Sequence, residues 1–237
     1  MELTTREAAQ RLGVNQSRVR ALVAAGTLDA RRVGPQWLID ADSVDRQATF
    51  TAAKATGRAM APRVAWAAAD LADGGDAPWL SAAERSRLRK RLRSASSIDV
   101  LRRWLSSRSA TVTRYRVGDR DLDALLDSDD VVRTGVSAAA AYRLGLSTGG
   151  AADAYVTTDV AARLIRDFFL IESRTGNLTL RVVEHNLHLL TARAVDDQRV
   201  STRLIVAADL ADDRDTRTKS AGRDRLAVVL DEQKQGR

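Results

Sequence analysis

The stretch Asn15-Gln-Ser-Arg-Val-Arg-Ala-Leu-Val-Ala-Ala-Gly26 has residue types and spacing suited to one chemistry, hydrogen bonding to the base edges and phosphates of a nucleic acid. Asn15 is a good N-cap, Val14 and Val19 occupy the positions of a hydrophobic staple, and Gly26 closes a short helix. Val19, Leu22 and Val23 form one apolar stripe. At about 100° per residue, Ser17 and Ala21 then face the other way, with Arg18 and Arg20 beside them. Small residues between two arginines let a helix approach a major groove while guanidinium forks reach guanine edges or phosphates. Gln16 stands at the start of the same helix. Residues 28–33 and 36–40 are expected to form a hairpin around Gly34-Pro35, a wing that offers Arg31, Arg32 and Gln36 to phosphates or a minor groove.

A second cationic set lies in Trp79-Leu-Ser-Ala-Ala-Glu-Arg-Ser-Arg-Leu-Arg-Lys-Arg-Leu-Arg93. Ser81 and Glu84 have capping-box spacing, and Leu88, Leu92 and Ala95 make a narrow apolar stripe. Arg85, Arg87, Arg89, Lys90, Arg91 and Arg93 cover the remaining circumference. With no carboxylate after Glu84, these cations repel one another unless anions are near. Phosphate contact, a solvated face and an acidic protein partner all remain open for this helix.

Other chemistry is poorly supplied. His185 and His188 are the only histidines, and Glu184 is the only adjacent third ligand for a metal. Ser147-Thr-Gly-Gly lacks the frame of a phosphate-binding loop and reads as a surface loop. Asp129-Asp130, Asp196-Asp197 and Asp212-Asp213 lie in turn-like stretches, where solvation and local ion pairs are the expected fate of their charge. No nucleophile has a plausible base. The chain is therefore expected to be neither an enzyme nor a holder of metal or cofactor.

The elements that must position these residues follow from the pattern. Thr4 and Glu7 have capping-box spacing, so a first helix starting at Thr4 should bury Ala8 and Leu12 and stop at Gly13. A short helix over 40–47 with Val44 inward, a linker over 48–60 and an amphipathic helix over 61–72 come next, followed after the basic helix by one over 98–106. Beyond Ser109 strands alternate with helices. Strands are expected at 111–117, 131–133 and 178–183, with a strand end at Tyr155-Val156. Helices are expected at 122–126, 137–144, 159–169, 201–211 and 216–231. The fold class is thus α+β, in three parts: a winged helix-turn-helix over 1–48, a helical basic linker segment over 49–108 and a mixed domain over 109–237.

Composition agrees. Apolar residues make up 44%, enough for real cores, and there is no cysteine to form a disulfide. No apolar run approaches a membrane span, so a cytoplasmic protein without a membrane partner is expected. The net charge of +7 is unevenly spread. Residues 1–50 hold seven arginines against six carboxylates, residues 51–110 twelve cations against five, and residues 111–237 nineteen against twenty. The excess falls in the middle segment, beside the expected DNA reader in sequence.

Leu3-Thr-Thr-Arg-Glu-Ala-Ala, Leu12-Gly-Val, Arg18-Val-Arg-Ala-Leu-Val, Ala25-Gly-Thr-Leu and Val33-Gly-Pro-Gln-Trp-Leu-Ile resemble the helix-turn-helix domain shared by excisionases and MerR-type regulators. That resemblance implies DNA binding. Gly135-Val-Ser-Ala-Ala-Ala-Ala-Tyr, Ala154-Tyr-Val, Asn177-Leu-Thr-Leu-Arg-Val-Val and Leu204-Ile-Val-Ala-Ala-Asp-Leu, with Arg217 to Leu226 downstream, are similar to AbiEi-type antitoxins of type IV toxin–antitoxin systems. This second resemblance implies a repressor of its own operon whose C-terminal domain opposes a cognate nucleotidyltransferase toxin. The excisionase-like wing and the basic insert at 79–93 depart from that pattern. A phage-type excisionase or immunity repressor, and a mainly protein-binding module, are the alternatives. No heptad runs for three repeats, so the long dimer helix of MerR regulators is absent and the oligomeric state is left open.

Overall fold

Thr4 and Glu7 form the expected capping box. The Glu7 carboxylate accepts from the Thr4 amide at 2.8 Å and from its hydroxyl at 2.7 Å, while the Glu7 amide donates to Thr4 Oγ1 at 3.3 Å. Helix α1 (Thr5–Leu12) begins there. This geometry is that of a computed structural model, which describes residues 2–12, 14–34, 36–41, 43–44 and 58–236. Across the described residues there are ten α-helices and two sheets, a mixed α+β fold. The chain divides into two compact units, residues 1–57 and 58–237.

In the first unit, helix α2 (Gln16–Ala24) is capped by Asn15, whose side chain accepts the Arg18 amide at 2.8 Å. Gly26 takes the left-handed conformation, φ +68°, that ends the helix. Strands β2 (Ala30–Val33) and β3 (Gln36–Asp40) pair antiparallel as the expected hairpin. A strand that periodicity does not announce, β1 (Glu2–Thr4), pairs with the other edge of β3 and sets Leu3 opposite Ile39. Leu3, Ala8, Val19, Leu28, Ile39 and Val44 make the core; Leu12 is only half-buried against it. Residues 41, 43 and 44 are helical. The remainder of the 40–47 helix, the stop at Gly13 and the linker as far as residue 57 lie outside the described residues.

The second unit is built on a seven-stranded mixed sheet of order β7-β4-β8-β6-β5-β10-β9. Its strands are β4 (Thr111–Arg116), β5 (Val132–Arg133), β6 (Ala152–Thr157), β7 (Ile171–Glu172), β8 (Leu178–Val183), β9 (Arg193–Val195) and β10 (Gln198–Val200). Period-2 alternation divides β6 and β8 between two layers. Ala152, Ala154, Val156, Leu178 and Leu180 pack with helices α6 (Leu122–Leu126) and α7 (Thr158–Asp167). On the other side, Tyr155 joins α3 (Pro62–Ala72), α4 (Ala82–Arg93), α5 (Ile98–Trp104), α9 (Arg203–Ala211) and α10 (Thr216–Gln235). A four-residue helix, α8 (Leu187–Leu190), lies between β8 and β9.

Three expectations are corrected. The 58–108 segment is not a linker to a domain starting at 109. Trp66, Leu92 and Leu101 share one core with Leu204, Ile205 and Leu226. Asp70 pairs with Arg193 at 2.9 Å and Asp73 with Arg203 at 2.6 Å, tying the segment down over more than a hundred residues of sequence. Second, the Ala-rich stretch 137–144 is not an α-helix: a 3₁₀ turn over Gly135–Ala138 opens it and Arg143 has φ +52°. Gly135 itself has φ +47°, and a Cβ there would clash with Asp153 Oδ2. Ser137 Oγ accepts the Asp153 amide at 2.9 Å, so pairing to the sheet outweighs alanine's helix propensity. Third, β6 is a full central strand rather than a strand end. Between β9 and β10, Asp196 and Asp197 have φ +48° and +61°, as a tight type I′ hairpin needs. No helix among the described residues is long and apolar enough to cross a membrane.

Candidate nucleic-acid interface

Helix α2 packs through one side and leaves the other bare. Val19 is fully buried, and Leu22 and Val23 are half-buried against α1 and the sheet. Gln16, Ser17, Arg18, Arg20 and Ala21 are exposed. Among the described residues the guanidinium groups of Arg18 and Arg20 have no hydrogen-bond or ion-pair partner. The first turn carries no acid to oppose an anion. Two unpaired guanidinium groups flanking a small-residue strip can meet phosphate or a guanine edge without first breaking a bond within the unit.

The hairpin arginines differ from one another. Register sets Arg31 opposite Leu38 and Arg32 opposite Trp37, on opposite faces of the hairpin. Arg31 forms a bidentate pair with Glu2, Nε to Oε1 and Nη2 to Oε2 at 2.7 Å each. The pair is exposed; hydrogen bonding to Arg31 holds the Glu2 carboxyl below its usual range. Arg32 Nε donates to the Gly34 carbonyl at 3.2 Å, and Arg32 and Gln36 are both exposed. Arg31 is therefore already occupied, while Arg32 and Gln36 are open at the hairpin tip. Three-residue β1 is too short to declare itself by periodicity, so the Glu2 partner could not be read from sequence.

In the second unit, Ser81 caps α4 and Glu84 closes the box, with the Glu84 carboxylate accepting the Ser81 amide at 2.8 Å. That hydrogen bond heads the causes that lower the Glu84 pKa to about 2. Leu88, Leu92 and Ala95 are buried as their spacing predicts. Of the candidate contacts, Arg85 Nη1 donates to the Leu80 carbonyl at 2.7 Å, and the Arg91 guanidinium lies 4.6 Å over the Trp104 ring. Arg87, Arg89, Lys90 and Arg93 remain exposed. Spacing alone does not give this division, because Arg89 stands three residues before Leu92 just as Arg91 stands three after Leu88.

No group of three or more potential metal ligands occurs among the described residues. His188 is buried, which lowers its pKa against the opposing pull of nearby backbone hydrogen bonds, while His185 is exposed. Of the acidic pairs, Asp212-Asp213 forms ion pairs, with partners distant in sequence: Asp212 with Arg102 and Arg108, and Asp213 with Arg114.

No curated protein and no solved structure matches the chain. Residues 2–47 match a family described as a helix-turn-helix domain, the stretch that carries α1, α2 and the hairpin.

Proposed function

We propose that the chain is a sequence-specific DNA-binding transcriptional regulator that represses its own operon as an antitoxin-like protein. The observation that carries the DNA-reading part is the exposed, unpartnered pair Arg18 and Arg20 on the helix-turn-helix domain's second helix. In this reading Arg18, Ser17, Arg20 and Gln16 meet base edges, while Arg32, Gln36 and Arg31 hold the backbone from the wing. Arg31 does so by exchanging Glu2 for phosphate. An exposed ion pair contributes only about 0–1 kcal/mol, so the exchange is cheap. No catalytic step is assigned to the chain. Selection of binding sites from a random DNA library tests the reading: one recovered motif supports it, and no enrichment over the library contradicts it.

The antitoxin part rests on the AbiEi-like motifs and on one surface feature. Phe169 is 84% exposed at φ +52°, and Ile171 is 67% exposed on edge strand β7. Apolar side chains on a strained edge are suited to a protein partner. If the neighbouring reading frame encodes a nucleotidyltransferase, the expected result is co-purification with it, lost on Phe169→Ser with Ile171→Thr. Failure of the intact pair to associate contradicts it.

A further inference from the structure

The two faces of the central strands in the second unit differ in kind. One is wholly apolar, from Ala152, Ala154 and Val156 on β6 to Leu178 and Leu180 on β8. The opposite face carries two polar rows. Register aligns Arg114, Thr179 and Asp153 in one, and Val112, Arg181 and Tyr155 in the other. A buried sheet face of this kind costs stability unless every charge is met.

Helix α9 meets part of it. Asp209, fully buried, accepts from Arg108 Nε at 2.8 Å, from Thr134 Oγ1 at 2.5 Å and from the Tyr155 hydroxyl at 3.1 Å. It also pairs with Arg181 at 3.3 Å. The other part is unmet. Arg181, its side chain 7% exposed, leaves Nε without a partner; Asp153, 3% exposed, leaves Oδ1 without one. Each lines a cavity. Arg181 lies in one of about 460 Å³ and Asp153 in one of about 470 Å³, and Arg114, Thr179, Asp213 and Arg214 line both. The two adjoin along those four residues, and each is within the range that holds small metabolites.

Charge identifies what fits. The Arg181 lobe is lined by five arginines against three carboxylates; Arg108 pairs with Asp209 and Asp212, Arg114 with Asp213 and Arg181 with Asp209, so among the described residues Arg174 and Arg214 are the lining arginines without a paired carboxylate. Arg174 and Arg214 are exposed at its rim. Guanidinium forks converging on an open space recognise a phosphate. The other lobe sets Val136, Leu146 and Ala151 beside polar groups, so it suits a partly apolar body.

We infer that these adjoining cavities bind a small phosphate monoester of mononucleotide size, its phosphate held by Arg174 and Arg214 with Arg114 and Arg181 behind them and its body beside Val136, Leu146 and Ala151. Such binding is independent of DNA binding by the first unit. Calorimetric titration of the full chain with the ribonucleoside monophosphates, against inorganic phosphate and the unphosphorylated nucleosides, tests it. At least one monophosphate should bind more tightly than phosphate, and no nucleoside should bind. Arg114→Gln, and separately Arg174→Gln with Arg214→Gln, should each weaken binding by about tenfold or more. The rim double variant removes only exposed side chains, so it keeps the test valid if Arg114→Gln fails to fold. Absence of monophosphate binding, or binding that the rim variant leaves unchanged, overturns the inference.

Discussion

Arg18 and Arg31 are both exposed arginines within the first forty residues, and they differ in what holds them. The Arg18 guanidinium has no partner among the described residues, whereas that of Arg31 is clamped by Glu2 at 2.7 Å. Arg18→Ala should therefore cost roughly 1–3 kcal/mol of discrimination between operator and non-operator DNA, read by competition binding. Arg31→Ala should weaken all DNA sequences alike and leave stability nearly unchanged. The buried charges behave differently again. Asp209 serves Arg108, Thr134, Tyr155 and Arg181 at once, so Asp209→Asn should destabilise the second unit by about 3–5 kcal/mol in denaturant unfolding. Asp153 has the opposite sign. Its pKa is raised by burial, so it favours folding only below the usual carboxylate range and opposes folding once ionised. Asp153→Asn should raise the melting temperature at neutral pH, with the gain shrinking as pH falls through that range. A gain that grows with acid would contradict the assignment. None of this was legible in sequence, because Asp153, Arg181 and Asp209 meet only through strand register and the seat of α9.

Among the elements, helix α4 commits two of its cations to contacts within its own unit. Arg85 and Arg91 are used internally, so the segment's value to a polyanion rests on Arg87, Arg89, Lys90 and Arg93. Replacing Arg87, Arg89 and Arg93 by Gln should flatten the slope of log K against log salt for DNA binding, by about 0.9 for each phosphate no longer neutralised. An unaltered slope would send the helix to the protein-partner reading. Helices and their caps were the legible elements. The Thr4–Glu7 and Ser81–Glu84 boxes and the Asn15 cap are set by residues three apart, as local periodicity is. Strands β1, β7, β9 and β10 have two or three residues each and exist through pairing with distant partners, which leaves little period to read. The 137–144 stretch failed for a related reason, since Gly135 and Ser137 answer to Asp153 across the sheet rather than to their neighbours. The close approach of α9 and α10 was equally hidden: a Cβ on Gly222 would clash with the Ala211 amide nitrogen. Gly222→Ala should therefore force those helices apart.

At the scale of the molecule, the first unit was legible nearly whole because helix, turn, helix and hairpin follow in sequence order. The second was not, because its core joins residues 60–105 to residues 204–230. A chain cut to 58–237 should unfold cooperatively, whereas one cut to 109–237 should lose Trp66, Leu92 and Leu101 from its core and bind hydrophobic dyes. Both fragments should fail to select DNA, since the helix-turn-helix domain lies within residues 2–47. The central claim is that α2 reads sequence. Its most direct test is site selection from a random DNA library by the intact chain and by its Arg18→Ala variant. A single motif for the parent, relaxed at one or two base positions in the variant, is the predicted result. A variant that recovers the parent's motif unchanged would contradict the claim.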